Sequence, residues 1–248
     1  MKKVLALCFL LVLLGCQSIQ PPKEFVYKEI NTHQFKLASW QKITDVNADY
    51  RIYIEGDGYA FNAYGQPSRN PTPHGELVRE LSFNDTVPNV IYLARPCQYV
   101  EDNACSVEYW TTKRFAPEVI EAEYKVIKQI AGDKEITLIG FSGGAQIAGL
   151  IAVKYPDLKI KKVITIAGNL DHKAWTDYHK LPPLDGSLNL AEYTEKFAII
   201  EQIHYVGADD DIIPLELTQK FAPRDKIVII KNATHNTGWQ KIYSQIYE

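Results

Sequence analysis

Short apolar runs recur along the chain, separated by polar and glycine-containing stretches. Several runs are continuously apolar, as is typical of strands buried on both faces of a parallel sheet. Seven runs predict strands: Phe35–Trp40, Tyr50–Ile54, Asn89–Leu93, Ile136–Ile139, Lys162–Ile166, Gln202–Val206 and Lys226–Ile230. Patterns at helical spacing between them predict helices at Gly75–Ser82, Pro117–Ile130, Gly143–Lys154, Leu215–Phe221 and Trp239–Tyr247. This alternation predicts an α/β fold, with a mostly parallel central sheet covered by helices on both faces.

The first residues have a different pattern. Two lysines precede an unbroken apolar run from Val4 to Leu14, which has the form of an export signal and is too short to span a bilayer permanently. Leu13-Leu14-Gly15-Cys16 resembles the lipobox of bacterial lipoproteins, in which the cysteine carries lipid. This resemblance implies a signal peptide over residues 1–15 and a lipidated Cys16. An ordinary signal peptide or a buried N-terminal helix is the alternative.

A lipidated Cys16 would anchor the protein to a membrane of a bacterial cell envelope, facing the periplasm. Gln17 stands where an Asp would be expected for inner-membrane retention, which resembles lipoproteins of the outer membrane. Residues 16–24 contain Pro21-Pro22 and are predicted to be a tether. Residues 25–248 suit a single α/β domain with one core.

Two stretches within that domain, 95–115 and 168–197, are longer than plain connections. Long loops at the carboxyl edge of a parallel sheet are places where pockets form. Their aromatic and proline residues either line such a pocket or form a small separate core: Tyr99, Tyr109, Trp110, Trp175, Tyr178, Pro182, Pro183 and Tyr193.

The charge balance of the chain limits the classes of partner to be expected. The chain has 27 basic and 30 acidic residues, a balance that gives no indication of nucleic-acid binding.

The four cysteines have different expected roles. Cys8 belongs to the predicted signal and Cys16 to the predicted lipid anchor. Cys97 and Cys105 remain as a close pair in an oxidising compartment, which predicts a disulfide between them. Two free thiols are the alternative.

Gly140-Phe141-Ser142-Gly143-Gly144 lies between a predicted strand and a predicted helix. This is the context of the G-x-S-x-G nucleophile elbow, in which a sharp turn strains the serine and small residues two positions away avoid clashes. The start of the following helix would aim the Gly143 N–H at developing negative charge. The pattern predicts Ser142 as a nucleophile; a glycine-rich turn before a helix is the alternative.

A serine hydroxyl needs a histidine base and an acid to orient that base. Both follow in the chain order Ser, Asp, His. A loop after one predicted strand contains Asp209-Asp210-Asp211, and a loop after the next contains His235, the only histidine beyond the acidic loop. The order therefore predicts His235 as the base.

These motifs resemble the α/β-hydrolase family, in which the acidic loop often reads Gly-x-x-Asp-x-x-Val-Pro. Matching Gly207, Ile213 and Pro214 to that pattern selects Asp210 as the triad acid, with Asp209 ahead of Asp211 as the alternative.

A second likeness to the family is the stretch Tyr53-Ile54-Glu55-Gly56-Asp57-Gly58. It stands where the family has His-Gly and an oxyanion-hole residue, with Glu55 in the place of the histidine. The resemblance implies an oxyanion hole formed by the N–H groups of Asp57 and Gly143, with Gly58 as the alternative donor to Asp57.

The resemblance implies hydrolysis of a small-molecule substrate with an ester-like acyl bond, a carboxylic ester or thioester, through an acyl-enzyme. No cofactor or metal is implied, and His33, His74, His172 and His179 show no metal-ligand spacing. A peptidase or amidase with the same triad is one alternative, and a catalytically silent binding lipoprotein is the other.

Three further polar residues are interpreted structurally. His204, on a predicted strand, is expected to be a hydrogen-bonded core residue. Arg95 and Arg114 are expected at the surface, with contact to an anionic substrate group as the alternative.

Overall fold

A computed structural model describes residues 19–247 of the chain. Within them, eight strands form one sheet: β1 (Val26–Asn31), β2 (Lys36–Ile43), β3 (Tyr50–Ile54), β4 (Asn89–Leu93), β5 (Glu135–Phe141), β6 (Lys159–Ile166), β7 (Gln202–Gly207) and β8 (Ile227–Ile230). Their spatial order is β1-β2-β4-β3-β5-β6-β7-β8. The predicted signal peptide, residues 1–15, and Cys16 lie outside the described residues. Within the described range, no helix is long and apolar enough to cross a membrane.

The sheet is mostly parallel, as predicted. Only β1 with β2 and β2 with β4 pair antiparallel, and every other neighbouring pair is parallel. Ile54 at the end of β3 pairs with Leu93 on one side and with Gly140 on the other. The carboxyl ends of β3, β4 and β5 therefore meet at one edge, where sites form in sheets of this kind.

Seven α-helices accompany the sheet in the described range: α1 (Leu77–Asn84), α2 (Pro117–Ala131), α3 (Gly143–Lys154), α4 (His172–His179), α5 (Thr194–Ala198), α6 (Leu215–Phe221) and α7 (Tyr243–Tyr247). Successive strand residues face opposite sides, so each face of the sheet has its own core. Ile52 and Ile54 pack with α2 and α3 on one face, and Tyr53 packs with α1 and the C-terminal helices on the other. Helices thus cover both faces, as predicted.

The differences from the predicted elements have physical reasons. β1 was not predicted, because only Ile30 of its six residues is buried and it joins the sheet through backbone hydrogen bonds to β2. The 168–197 stretch contains α4 and α5 rather than loop alone. α4 is capped by Asp171, whose carboxylate accepts hydrogen bonds from the amides of Lys173 and Ala174. The predicted C-terminal helix divides into a 3₁₀ turn, Trp239–Ile242, followed by α7.

Candidate active site

Ser142 lies on a sharp turn between β5 and α3. Its φ of 50° and ψ of −120° are rare for a residue with a side chain. A Cβ at Gly140 would lie 2.4 Å from the Gly144 carbonyl oxygen, and a Cβ at Gly144 would lie 2.4 Å from the Ile54 carbonyl oxygen. The two glycines therefore allow the turn to pack against its own helix and against β3, which leaves the Ser142 side chain half-buried at the sheet edge.

The structure brings Ser142, His235 and Asp210 together from three separate loops. The Ser142 Oγ lies 3.1 Å from His235 Nε2, and His235 Nδ1 lies 3.0 Å from Asp210 Oδ2. Both distances are within hydrogen-bonding range. The arrangement places a proton acceptor beside the hydroxyl and a carboxylate behind the imidazole, which is the geometry of nucleophilic catalysis by serine.

The acidic loop presents its three carboxylates differently. Asp210 is buried, and its Oδ1 accepts hydrogen bonds from the amides of Ile212 and Ile213, each at 2.9 Å. Asp209 and Asp211 are exposed. Only Asp210 of the three makes the contact with His235 in the described part of the chain.

The imidazole of His235 is held from behind as well. The indole Nε1 of the fully buried Trp239 donates to the His235 carbonyl at 3.1 Å, and the Phe141 ring lies 5.1 Å from the imidazole centroid. The loop that presents His235 is therefore tied to the core under the C-terminal 3₁₀ turn.

The Glu55–Gly58 turn packs against the serine turn. A Cβ built at Gly56 would lie 3.3 Å from the Ser142 Cβ, and one at Gly143 would lie 2.1 Å from Asp57 Oδ1. The Glu55–Gly58 turn, which contains the Asp57 amide, therefore lies next to the start of α3, which contains the Gly143 amide. Two amides in such a position can stabilise an oxyanion that forms at the serine.

Glu55 accepts two hydrogen bonds at this turn. Its Oε1 accepts from the Gly56 amide at 2.8 Å, and its Oε2 accepts from the Tyr92 hydroxyl at 2.7 Å. Burial raises the pKa of Glu55, although the hydrogen bonds from Tyr92 and Gly56 oppose that rise. Glu55 thus stabilises the turn through its hydrogen bonds with Gly56 and Tyr92.

Comparison with solved structures finds neighbours that span nearly the whole chain. An esterase from Pyrococcus furiosus has a TM-score of 0.61 at 19% identity, over 90% of this chain and 90% of its own. A putative lipase from Acinetobacter baumannii has 0.61 at 13% identity, over 94% and 95%. An α/β serine hydrolase without a lid from Xanthomonas campestris has 0.51 at 11% identity, over 91% of each chain. The chain has the α/β-hydrolase fold.

At these identities the likeness is one of fold. By sequence, no protein-family model and no curated protein matches the chain. The α/β-hydrolase fold determines where the three loops lie, and the side chains on those loops determine which reaction is possible.

A buried charge cluster lies behind the Glu55–Gly58 turn of this α/β-hydrolase fold. The Asp57 carboxylate pairs with Arg114 Nη1 at 2.5 Å and with Arg95 Nη1 at 3.3 Å, and Arg95 Nε lies 3.3 Å from Glu123 Oε1. Burial acts to raise the pKa of Asp57, but the two guanidinium groups outweigh it and lower that pKa below its ordinary value. Burial raises the pKa of Glu123 to about 8 against the opposing charge of Arg95.

The expectation of surface positions for Arg95 and Arg114 is therefore wrong. Both are almost fully buried, because the Asp57 carboxylate and backbone carbonyls compensate their charges. Sequence reasoning missed the cluster because the Asp57–Arg114 pair joins residues far apart in the chain.

A cavity of about 1040 Å³ opens at Ser142 and His235. Its walls are mainly apolar, and it takes Trp175, Pro182 and Pro183 from the predicted 168–197 stretch. A second wall, which was not predicted to contribute, comes from the segment between β3 and α1, with residues such as Tyr59, Phe61, Pro67 and Pro73, and from Leu77 at the start of α1. The α/β-hydrolase fold thus carries a largely apolar cavity at the predicted sheet edge.

The other aromatic residues of the two long stretches have different surroundings. Tyr99 packs with Trp40, at 5.0 Å between ring centroids, and Tyr109 packs with Phe35, at 4.8 Å. Tyr178 is exposed, and Tyr193 packs against the core under α3. Tyr99 and Tyr109 therefore pack against the core, whereas Thr111, Thr112 and Arg114 of the same 95–115 stretch line the cavity.

The predicted disulfide between Cys97 and Cys105 is present, with the Cα atoms 5.7 Å apart. His204 is a buried core residue as predicted, with its ring nitrogens 2.8 Å from Thr165 Oγ1 and 2.8 Å from Gln202 Oε1. Burial lowers the pKa of His204 to about 4. Over the described residues, no group of three or more His, Cys, Asp or Glu side chains could hold a metal ion.

Proposed function

We propose that this protein is a serine hydrolase that cleaves an ester-like bond, a carboxylic ester or a thioester, through a covalent acyl-enzyme. The observation that carries the proposal is the hydrogen-bonded line from Ser142 through His235 to Asp210, set on a strained turn at the mouth of the cavity. Strained backbone at such a place marks a functional site when the surrounding structure holds it.

In the proposed reaction, His235 Nε2 takes the proton of the Ser142 hydroxyl as the oxygen attacks the carbonyl carbon of the substrate. Asp210 holds the Nδ1 proton of the imidazole, which keeps Nε2 available and stabilises the imidazolium. His235 then donates the proton to the leaving alkoxide or thiolate. Water, deprotonated by His235, releases the acid from Ser142 in the second half.

The negative charge on the substrate oxygen would be held by the amides of Asp57 and Gly143, with Gly58 as the alternative to Asp57. Support comes from the packing of the Glu55–Gly58 turn against Ser142. Removing one such donor from a serine hydrolase costs roughly 10²–10³ in kcat.

The walls of the cavity favour a small-molecule substrate with a bulky apolar group. Most lining residues are apolar, and the charges of Asp57 and Arg114 in the wall are paired with each other. A free anionic group on the substrate would have to compete with that pair. We therefore expect acyl or alcohol groups of medium to large size to be preferred to acetate.

We also propose that the mature protein is lipid-anchored at Cys16 in a bacterial envelope, facing the periplasm and at the outer membrane rather than the inner. The support is the order of lysines, apolar run and Gly15-Cys16 at the start of the sequence. Mass spectrometry of the mature N-terminus tests this directly. An unmodified N-terminus at another residue would exclude the anchor.

Labelling with a fluorophosphonate probe tests the catalytic proposal. We expect the intact protein to be labelled and Ser142→Ala to lose the label, with Ser39→Ala as a control because Ser39 is fully buried in β2. Labelling that survives Ser142→Ala would exclude Ser142 as the nucleophile, and the absence of any labelling would favour a silent binding protein.

A series of p-nitrophenyl esters, set against peptide p-nitroanilides, identifies the bond. We expect ester cleavage to exceed amide cleavage and to rise with acyl length as the apolar cavity fills. Faster cleavage of the anilides would instead assign a peptidase or amidase to the same three residues.

A further inference from the structure

Gln98 lies directly behind the proposed oxyanion hole and is almost fully buried. Its side-chain Nε2 donates to the Gly56 carbonyl at 3.0 Å, and its Oε1 accepts from the Arg95 amide at 3.1 Å. Both ends of the amide are therefore used. Neither Ser142 nor His235 is in hydrogen-bonding contact with it, so the proposed reaction does not explain why a polar side chain is buried here.

Only one orientation of the Gln98 amide satisfies both partners. If the amide were rotated by half a turn, its oxygen would face the Gly56 carbonyl oxygen and its NH₂ would face the Arg95 amide. The donor is thus directed at the Gly56 carbonyl by the chemistry of the two backbone groups. An amide with a donor and an acceptor at opposite corners is what the site requires.

The Gly56 carbonyl belongs to the same peptide unit as the Asp57 N–H. A trans peptide is planar and rigid, so its carbonyl oxygen and its N–H point in opposite directions. A side chain that holds the oxygen from behind therefore sets the direction of the N–H in front. In the proposed function, that N–H is an oxyanion donor.

The backbone around Gln98 is held in place by several independent constraints. The residues on either side, Cys97 and Tyr99, have φ of 69° and 63°, which is uncommon for residues with a side chain. Cys97 is bonded to Cys105, and the Tyr99 amide donates to Thr72 Oγ1 at 2.7 Å. The local strain is thus maintained by the disulfide and by the hydrogen bond to Thr72.

We propose that Gln98 is a positioning residue that orients the Gly56–Asp57 peptide for oxyanion stabilisation, with the Cys97–Cys105 disulfide holding Gln98 against that peptide. The assignment rests on the proposed serine-hydrolase function. Gln98 acts through the peptide and does not touch the substrate.

Gln98→Met, of similar length and without polar atoms, removes the hydrogen bond to Gly56. We expect kcat for a p-nitrophenyl ester to fall about 10- to 100-fold, less than or equal to the loss of a whole oxyanion donor, with KM within about twofold. Gln202→Met is the matched control. Gln202 is also buried and donates from Nε2 to a backbone carbonyl, that of Phe197, at the start of β7 far from the site. We expect it to leave kcat within about twofold.

Gln98→Glu adds a readout that a purely structural role would not produce. An ionised Glu at position 98 cannot donate to the Gly56 carbonyl, whereas a protonated Glu can donate to it and still accept from the Arg95 amide. The kcat of Gln98→Glu relative to wild type should therefore rise as the pH falls. The carboxyl groups of Glu55 and Asp57 and the guanidinium of Arg95 are neighbours of position 98 in both proteins, so the ratio removes their shared contribution.

The outcomes separate the two proposals. Wild-type protein that lacks Ser142-dependent labelling overturns the proposed function. Wild-type protein that is labelled and active, with Gln98→Met and Gln98→Glu both retaining kcat, overturns the role of Gln98 alone. If Gln98→Met does not fold, the relative pH profile of Gln98→Glu decides: a constant ratio counts against the role, and a ratio that rises in acid supports it.

Discussion

Asp210→Asn replaces one carboxylate oxygen by NH₂ and leaves the size of the side chain unchanged. In the wild-type structure, Oδ1 accepts from the amides of Ile212 and Ile213, and Oδ2 faces His235 Nδ1. The asparagine oxygen must remain with the two backbone amides, because an NH₂ there would face two donors. The NH₂ group is then directed at His235 Nδ1 and donates to it.

That contact selects the wrong tautomer of His235. Nδ1 becomes the acceptor, the ring proton moves to Nε2, and Nε2 can no longer take the proton from the Ser142 hydroxyl 3.1 Å away. In serine proteases the equivalent change lowers kcat by roughly 10⁴. We expect a loss of the same order here, equivalent to about 5 kcal/mol of transition-state stabilisation.

The assay is kcat for a p-nitrophenyl ester, with thermal unfolding as a check on folding. Asp209→Asn and Asp211→Asn are matched controls, since both side chains are exposed, and each should keep kcat within about twofold. Retention of more than about a tenth of wild-type kcat by Asp210→Asn would refute the tautomer mechanism, as would an equal loss in Asp209→Asn.

Three further predictions concern stability. In the folded protein the pKa of Glu123 is about 8, whereas the unfolded carboxyl has the ordinary pKa of 4.5. Between these two pH values the folded state holds a proton that the unfolded state has lost. The contribution of Glu123 to the free energy of unfolding therefore falls as the pH rises from 4.5 to about 8. Between about pH 5 and pH 8, the unfolding free energy of the wild-type protein should fall by up to about 4 kcal/mol more than that of Glu123→Gln, as measured by urea unfolding. Parallel curves for the two proteins would contradict this. Gly144→Ala, whose Cβ would lie 2.4 Å from the Ile54 carbonyl oxygen, should lower stability by about 1–3 kcal/mol and abolish labelling by the fluorophosphonate probe. Reduction of the Cys97–Cys105 disulfide should cost about 2–3 kcal/mol and lower Tm, whereas a variant with serine at both positions should be insensitive to reductant.

The elements that could be predicted are those that are specified by their own residues and their immediate neighbours in the chain. β3 and β4 have the predicted limits because they are largely apolar and buried on both faces. α3 also has the predicted limits, because the glycine-rich turn marks its start. β1 could not be predicted, since its outward residues are polar or exposed and its place depends on pairing with β2. α4 depends on the Asp171 cap rather than on an apolar stripe.

The candidate site divides in the same way. Ser142, Asp210 and His235 were predicted because their order and flanking residues carry a pattern. The Asp57–Arg114 pair and the contact of Gln98 with Gly56 carry none, because they join segments that meet only after folding. Burial of an arginine depends on whether a distant carboxylate reaches it, and no local composition reports that.

The contact between Asp57 and Gly143 restricts how this site can evolve. A side chain at position 143 would meet Asp57 Oδ1, and Arg95 and Arg114 keep that carboxylate from moving aside. Gly143→Ala should therefore destabilise the wild-type protein, and it should destabilise the protein less once position 57 carries glycine. This epistasis is measurable as non-additivity of the unfolding free energies in a double-mutant cycle. In descendants of this sequence, enlargement of position 143 should follow, and not precede, the loss of the side chain at position 57.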